Sequence, residues 1–426
     1  MLRQGARWLA HRGASAPPPS TAPALAGWLA DRSGLSMEQA SLFLATAFLL
    51  LVYFHGKAFL RAVSILFLSA LVTLWAVLRR VSKALRRQKS RTPSASTASP
   101  RTITESLTTA LPSRKLKPAE LASALSDVWR LHGESKSMQA AGLLTAIEGC
   151  IAANPLSLAA AAAKRELEAN AANAAAVRSR ITAAVEALRL FQDDSGWQGS
   201  LEAFGSLTRY RRDTGADGRM TIRVDGVIET VSLGQVLAVW REVKHMDQWL
   251  PSCVGSRLIR LVGVSDVLFH LHFSVLGLIS RDAVMHAYAV DALDEANAIL
   301  IIGRSVTAMD MPTEPIPPPT DVVRMEYRRL QILLEPIDER TTRISLMLSI
   351  DPKAKAVPMS FIEGILRRSI CMLYLLLKRA AKRVAAGDGV HAAAVSADRT
   401  YHGTNFYASY LAPRLRAHFA NQNAKA

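Results

Sequence analysis

Apolar residues fill most of the stretch from residue 40 to residue 78, interrupted by His55, Gly56 and Lys57, with Arg61 just beyond. A helix that crosses a bilayer needs roughly 20 apolar residues, with about 17 as the short limit. The runs 40–54 and 62–78 are each near that limit. Residues 38–78 therefore read as transmembrane segments. They form either a hairpin turning at Gly56 or one span beside an interfacial run. A buried helix pair in a soluble domain is the other reading, but neither run has a polar face.

Beyond residue 117 the pattern becomes helical. Leu121, Leu125 and Val128 share one face after Pro118. Leu144, Ile147 and Ile151 mark a second helix over 137–153. A third opens at Asn154 and Pro155, a capping residue followed by proline at the first position. It can run to Gln192, with Val177, Ile181, Val185 and Leu188 as its stripe, and Asp193 to Gly196 stop it. The domain boundary is set there, with 118–195 an α-helical segment.

From Trp197 the period shortens to two. Residues 220–224 alternate as a strand, and Asp225-Gly226 reads as a hairpin turn into 227–230. Residues 231–243 read helical. Further strands are expected over 266–275, 283–290, 298–307, 322–334 and 341–350, with a proline-rich loop at 312–320. A long helix comes next, over 358–385. The fold class is α+β: an antiparallel sheet with a long helix at its C-terminal end. Residues 387–426 read as a C-terminal tail.

Charge then changes the picture. The 426 residues carry a formal net charge of +17 and are 50% hydrophobic. Such an excess favours an anionic partner. Arg79, Arg80, Lys83, Arg86, Arg87, Lys89 and Arg91 come directly after the apolar run, with no acid among them. Cations abutting a span stay on the cytoplasmic side and attract anionic headgroups. They orient the C-terminal remainder of the chain toward the cytosol, with the endoplasmic reticulum as the default membrane and a mitochondrial or plastid membrane as the alternative. Residues 79–117 are this basic stretch and a Ser/Thr/Pro-rich linker. Residues 1–37 are a disordered or targeting N-terminus, with Arg3, Arg7 and Arg12 ahead of the first acid, Asp31. Cys150, Cys253 and Cys371 are too scattered for a disulfide framework or a zinc site. Neither a nucleotide-type glycine loop nor a known hydrolase or metalloprotease motif occurs, and the basic run lacks interleaved aromatics, so no nucleic-acid partner and no cofactor are expected.

Several stretches together resemble the START (steroidogenic acute regulatory protein-related lipid-transfer) family over residues 197–386. They are 207–211 with 220–226, the Trp240 to Trp249 segment ending at Pro251, Ser280-Arg281-Asp282, 319–324 with 334–336 after it, and 341–343 with 351–358. The resemblance implies a helix-grip fold, in which a curved antiparallel sheet wraps the long helix around an apolar cavity. With the anchor read from residues 38–78, it implies a membrane-anchored protein, not an enzyme, that binds or transfers one lipid. A cyclase- or hydrolase-type enzyme of the same superfamily, or a lipid sensor without transfer, is the alternative. Sterol-binding members carry a buried Arg a few residues after the Arg-Asp signature. Here that position is Ala287, with His286 pointing to the other face, so a sterol-type ligand does not carry over.

The expected lipid-binding residues are Phe273, His270, Met325, Tyr327, Met347, Phe361, Ile365 and Met372. His270 and His272 share a strand face, and with Tyr288 and Arg329 they are candidates for a headgroup. No third ligand accompanies the two histidines, so no metal site is expected. Trp249, Arg281 and Asp282 are expected to be structural. The 312–319 loop, with Met309 and Met311 beside it, is expected near the cavity mouth.

Overall fold

Among the described residues ten strands form one sheet, with successive side chains on opposite faces except where the register slips. They are Gln198–Ala203 (β1), Ser206–Arg212 (β2), Met220–Glu229 (β3), Cys253–Gly263 (β4), Asp266–Val275 (β5), Ile279–Ala292 (β6), Ala298–Ser305 (β7), Val323–Arg324 (β8), Glu326–Asp338 (β9) and Thr341–Asp351 (β10). The sheet order is β1-β2-β3-β10-β9-β7-β6-β5-β4, antiparallel along that path, with β8 beside β6 in parallel. The computed structural model describes residues 115–212, 220–275, 279–318, 322–353, 359–398, 400–401 and 404–424. The expected segments 1–37 and 38–78, and the cations from Arg79 to Arg91, lie outside the described residues. Among the described residues no helix is long and apolar enough to cross a membrane.

Among the described residues four α-helices precede the sheet: Leu121–Gly133 (α1), Ser137–Ala153 (α2), Leu158–Ala169 (α3) and Ala171–Gln192 (α4). The third predicted helix differs from expectation. Ser157, not Asn154, caps it, with its hydroxyl accepting from Ala160 N at 3.5 Å. The helix also breaks at Asn170 into α3 and α4. Side-chain amides of asparagine compete with the helix for backbone partners, and Asn170 Nδ2 donates to Glu166 O at 3.0 Å.

The chain leaves β3, crosses one face of the sheet as Leu233–Arg241 (α5) and a 3-10 turn at Val243–Gln248, and starts β4 at the far edge. Ser232 and Gln235 close a capping box at the start of α5. Met359–Ala385 (α6) lies on the same face, which we call the inner face. Ile222, Val224, Leu346, Ile332, Ile301, Met285, Phe269 and Leu271 bury it together with Leu237 of α5 and Tyr374 and Leu377 of α6. The outer face is also covered. Val290, Leu300, Leu333 and Met347 are buried against Ala184, Leu188 and Phe191 of α4 and Met138 of α2. The helical segment 118–195 and the sheet therefore share a core, and the described residues from 115 onward form one compact unit.

Residues 387–426 are likewise folded where a tail was expected. Gly389–Ala397 (α7), a π-helical turn at Phe406–Leu411 and Ala412–Asn423 (α8) come after α6. Phe406 and Leu411 are 2% and 3% exposed within the inner-face core. The long helix is thus not the last element.

Two strand expectations need correction. Asp225-Gly226 is no hairpin: β3 runs straight through it, and Gly226 pairs with Ser206 on one side and Ile344 on the other. Glycine is required because the Tyr374 ring lies on the backbone there, and an added Cβ would sit 2.5 Å from its Cζ. Tyr374 Oη donates to Val227 O at 3.0 Å, which pins the ring. Gly226→Ala is expected to cost about 1–3 kcal/mol by overpacking. In a double-mutant cycle with Tyr374→Leu, urea unfolding should show most of that cost relieved; additive losses would disprove the contact. The second correction is β4, which has no counterpart among the expected strands. Register shifts at Cys253/Gly255, Leu258/Arg260 and Leu261/Gly263 erase its period-two signal.

Candidate functional site

Phe273, Met325 and Tyr327 come together at one end of the inner face. The Phe273 and Tyr327 ring centroids are 6.4 Å apart, and Met325 is buried in the same core. Alternation alone does not put Tyr327 there. The β9–β10 register slips between Ser349, opposite Arg329, and Ile350, opposite Tyr327, so Arg328 bulges out. The bulge lets Tyr327 share a face with Leu330 and Ile332. Burial pushes the Tyr327 phenol up, far above its ordinary range. Burial likewise pushes the neighbouring Cys253 thiol up to about 11. Neither group ionises near neutrality, so this end of the face stays uncharged.

An apolar pocket opens further along the same strands. Leu237 and Trp240 of α5, Met246, Phe269, Ala287, Ile301, Ile332 and Phe406 line it. The cavity within it has a volume of about 50 Å³, so a larger molecule enters only if the walls part. Its one charged lining residue is Arg241. That guanidinium already donates to Glu242 Oε1 at 3.1 Å and lies 3.9 Å from the centre of the Phe406 ring. Ala287 presents only a methyl group, so the buried cation expected of a sterol-binding START domain has no counterpart at this position. Trp249 supports the wall from behind, its ring edge-on to Trp240 at 5.0 Å. Sequence reasoning missed Trp240, Met246 and Phe406 as lining residues. The first two lie on elements whose crossing of the sheet is set by strand order, and Phe406 comes from a segment expected to be a tail.

Six expected lining or headgroup residues belong elsewhere. His270 is on the outer face, because Phe269 and Leu271 on either side of it turn inward. His272 shares that outer face, its ring centroid 4.3 Å from that of His270. Met347 also points outward, against α4, while Leu346 and Leu348 point inward. Met372 is 42% exposed on the far side of α6. Phe361 and Ile365 are on α6, but their side chains fall outside the described set. Of the other headgroup candidates, Tyr288 lies under the Arg180 guanidinium at 4.7 Å, and Arg329 faces Glu186 at 3.9 Å. Both partners are on α4, so these two also face outward.

Asp282 organises the outer face. It is fully buried, accepts from Arg324 Nη2 at 2.7 Å, and is 2.9 Å from His270 Nε2. Burial pushes its carboxyl up, but the hydrogen bonds from Arg324 and His270 outweigh that and hold it below the usual carboxylate range. Burial also pushes the His270 imidazole down, against the pull of Asp282. Arg324 donates onward to the carbonyls of Pro317 and Pro318 at 2.9 and 3.2 Å. The proline-rich loop is thereby tied to the outer face, where Met311 and Ile316 pack on Leu268 and Val306. Its described residues do not line the pocket, and Met309 beside it is 92% exposed. Arg281 donates to Pro352 O at 2.9 Å and to Ser280 O at 2.8 Å, both backbone groups, which fixes the start of β6. Among the described residues no cluster of His, Cys, Asp and Glu could hold a metal ion.

Comparison with known proteins gives likenesses to solved structures alone. No family model matches the chain, and no curated relative matches it. It is similar to human StAR-related lipid transfer protein 5, with 20% identity, 49% of this chain and 97% of that chain covered, and a TM-score of 0.41. A STAR-related lipid transfer protein fragment from Xanthomonas axonopodis is 18% identical, over 44% of this chain and 99% of that chain, with a TM-score of 0.37. The Zhui aromatase/cyclase from Streptomyces sp. R1128 is 16% identical, over 40% and 99%, with a TM-score of 0.26.

Proposed function

We propose that this chain binds one lipid-like molecule against the inner face of its sheet and carries out no chemistry on it. The observation that supports this is the lining of the pocket. It is aliphatic and aromatic apart from Ser265, the Tyr288 position and Arg241. A mostly apolar concavity with few polar groups is the usual construction of a small-molecule site. Apolar surface withdrawn from water contributes about 25 cal/mol per Å², which suits a hydrocarbon ligand. The cyclase or hydrolase reading needed His270 and His272 as acid and base in the cavity. Their outer-face position favours the binding reading.

The proposal extends to the N-terminal part of the chain. Residues 38–78 would anchor the protein in a membrane, and the cations from Arg79 to Arg91 would keep the sheet domain on the cytosolic side. Whether lipid is transferred or only held depends on exchange between membranes, which an anchored domain on a linker can reach.

The test is native mass spectrometry with lipid extraction on residues 100–426. A fragment starting at 197 would strip Leu188 and Phe191 from the outer face and expose the sheet. One apolar ligand per chain is expected. Ala287→Val, which adds a volume close to that of the cavity, should reduce occupancy at least tenfold while the unit remains folded. A folded unit that takes up nothing from total membrane lipids would sink the proposal.

A further inference from the structure

The free edge of the sheet carries a second surface that the pocket does not use. Strand β2 runs antiparallel along α6, as three contacts show. Arg367 lies over the Tyr210 ring at 3.4 Å, and Thr208 Oγ1 meets Cys371 Sγ at 3.2 Å. A Cβ on Gly205 would come 3.8 Å from Lys378 Nζ. Among the described residues β1 alone lies beyond β2, at the end of the strand order. Residues 372, 375, 379 and 382 fall at helical spacing, one step round from the sheet-facing 371, 374 and 378. Met372, Arg379 and Lys382 are exposed and Leu375 is half-buried. Leu201 faces the same side, because it pairs with Thr208.

The hairpin tip has an unusual composition. Phe204 has φ of 57°, in the left-handed region that favours glycine or asparagine, and is 51% exposed. Leu201 is 46% exposed. A large aromatic is thus held outward at a position where neither backbone preference nor internal packing calls for one. Lys378, Arg379 and Lys382 have no acidic partner among the described residues, whereas Arg383 pairs with Asp388. The acid of the hairpin, Glu202, pairs across from Leu207 and so faces the opposite side.

We propose that this edge, formed by Phe204, Leu201 and Met372 with Lys378, Arg379 and Lys382, docks on an anionic bilayer surface. The charge pattern argues for lipid as the occupant. A protein partner would have to match unpaired cations one by one, whereas anionic headgroups supply diffuse negative charge and the layer beneath them takes an aromatic tip. Three cations near such a surface together raise partitioning on the order of a hundredfold. Docking by this edge is independent of what the pocket holds.

The experiment uses the full chain reconstituted in vesicles. An environment-sensitive fluorophore is placed at Phe204→Cys, and a control at Met309→Cys. The Phe204 label should be quenched by lipid-borne nitroxide in vesicles containing phosphatidylserine, and several-fold less in pure phosphatidylcholine. The triple variant Lys378→Glu, Arg379→Glu, Lys382→Glu should abolish the quenching while circular dichroism stays unchanged. The control label should remain in water throughout. Three results would overturn the proposal: no quenching on anionic vesicles, equal quenching on both vesicle types, or no effect of charge reversal. A spectral shift that rises with protein concentration without vesicles would also overturn it and assign the edge to a second copy of the chain.

Discussion

Asp282→Ala is expected to lower the unfolding free energy of residues 100–426 by about 3–5 kcal/mol, the usual cost of leaving a buried partner charge uncompensated. The carboxylate is fully buried, and its removal strands Arg324, whose remaining bonds go only to the carbonyls of Pro317 and Pro318. The proline-rich loop should loosen with it, visible as faster amide exchange over 306–318. Replacing both partners with apolar residues should recover much of the loss, since desolvating the pair offsets a large part of its attraction. Arg324→Lys should recover little, because an ammonium cannot reproduce the fork that meets the carboxylate and two carbonyls at once. The pH dependence has a fixed sign. The folded carboxyl is held below the ordinary value of about 3.9, so its contribution is present above that pH and is lost as pH falls through the lower folded value. The gap between wild type and Asp282→Ala should therefore close below about pH 4. A gap that is small at pH 7, or unchanged in acid, would refute the network.

Phe406→Ala should cost a similar amount, about 3–5 kcal/mol for a buried aromatic reduced to a methyl. The ring is 2% exposed and is held from several sides. Arg241 lies over it, Tyr407 Oη donates to Glu242 Oε1 at 2.9 Å, and the Asp398 carboxylate accepts from Tyr407 N and Ala408 N at 2.9 and 2.7 Å. Arg414 ties helix α8 to Asp291 at 2.6 Å. Because Phe406 lines the pocket, the loss should also widen it. Chemical denaturation and uptake of an apolar dye, measured on the same variant, should then move together: less stable and more dye bound. A variant as stable as wild type would mean that the C-terminal segment rests on the domain without being part of its core.

Much of the fold is legible in the sequence because periodicity is local. Alternation locates the strands at 266–275 and 341–350, and the 3.6-residue stripe places the long helix at 358–385, near the observed Met359–Ala385. It also puts His270 and His272 on one face of one strand, and Ala287 and His286 on opposite faces. Only tertiary structure decides which face is which. A period of two says which residues share a face, but when helices cover both faces it does not say which one meets the pocket. Hence Met347 and His270 read as inward when α4 and the Arg324 network hold them outward. Tyr327 turns inward through a bulge at Arg328 that no local pattern announces. Gly226 looks like a turn because Asp-Gly usually makes one, yet it makes room for Tyr374, whose hydroxyl reaches Val227 across 147 residues of sequence. Phe406 shows the same limit. A polar, alanine-rich neighbourhood reads as a tail, and only the place open to it beside Arg241 makes it part of the core.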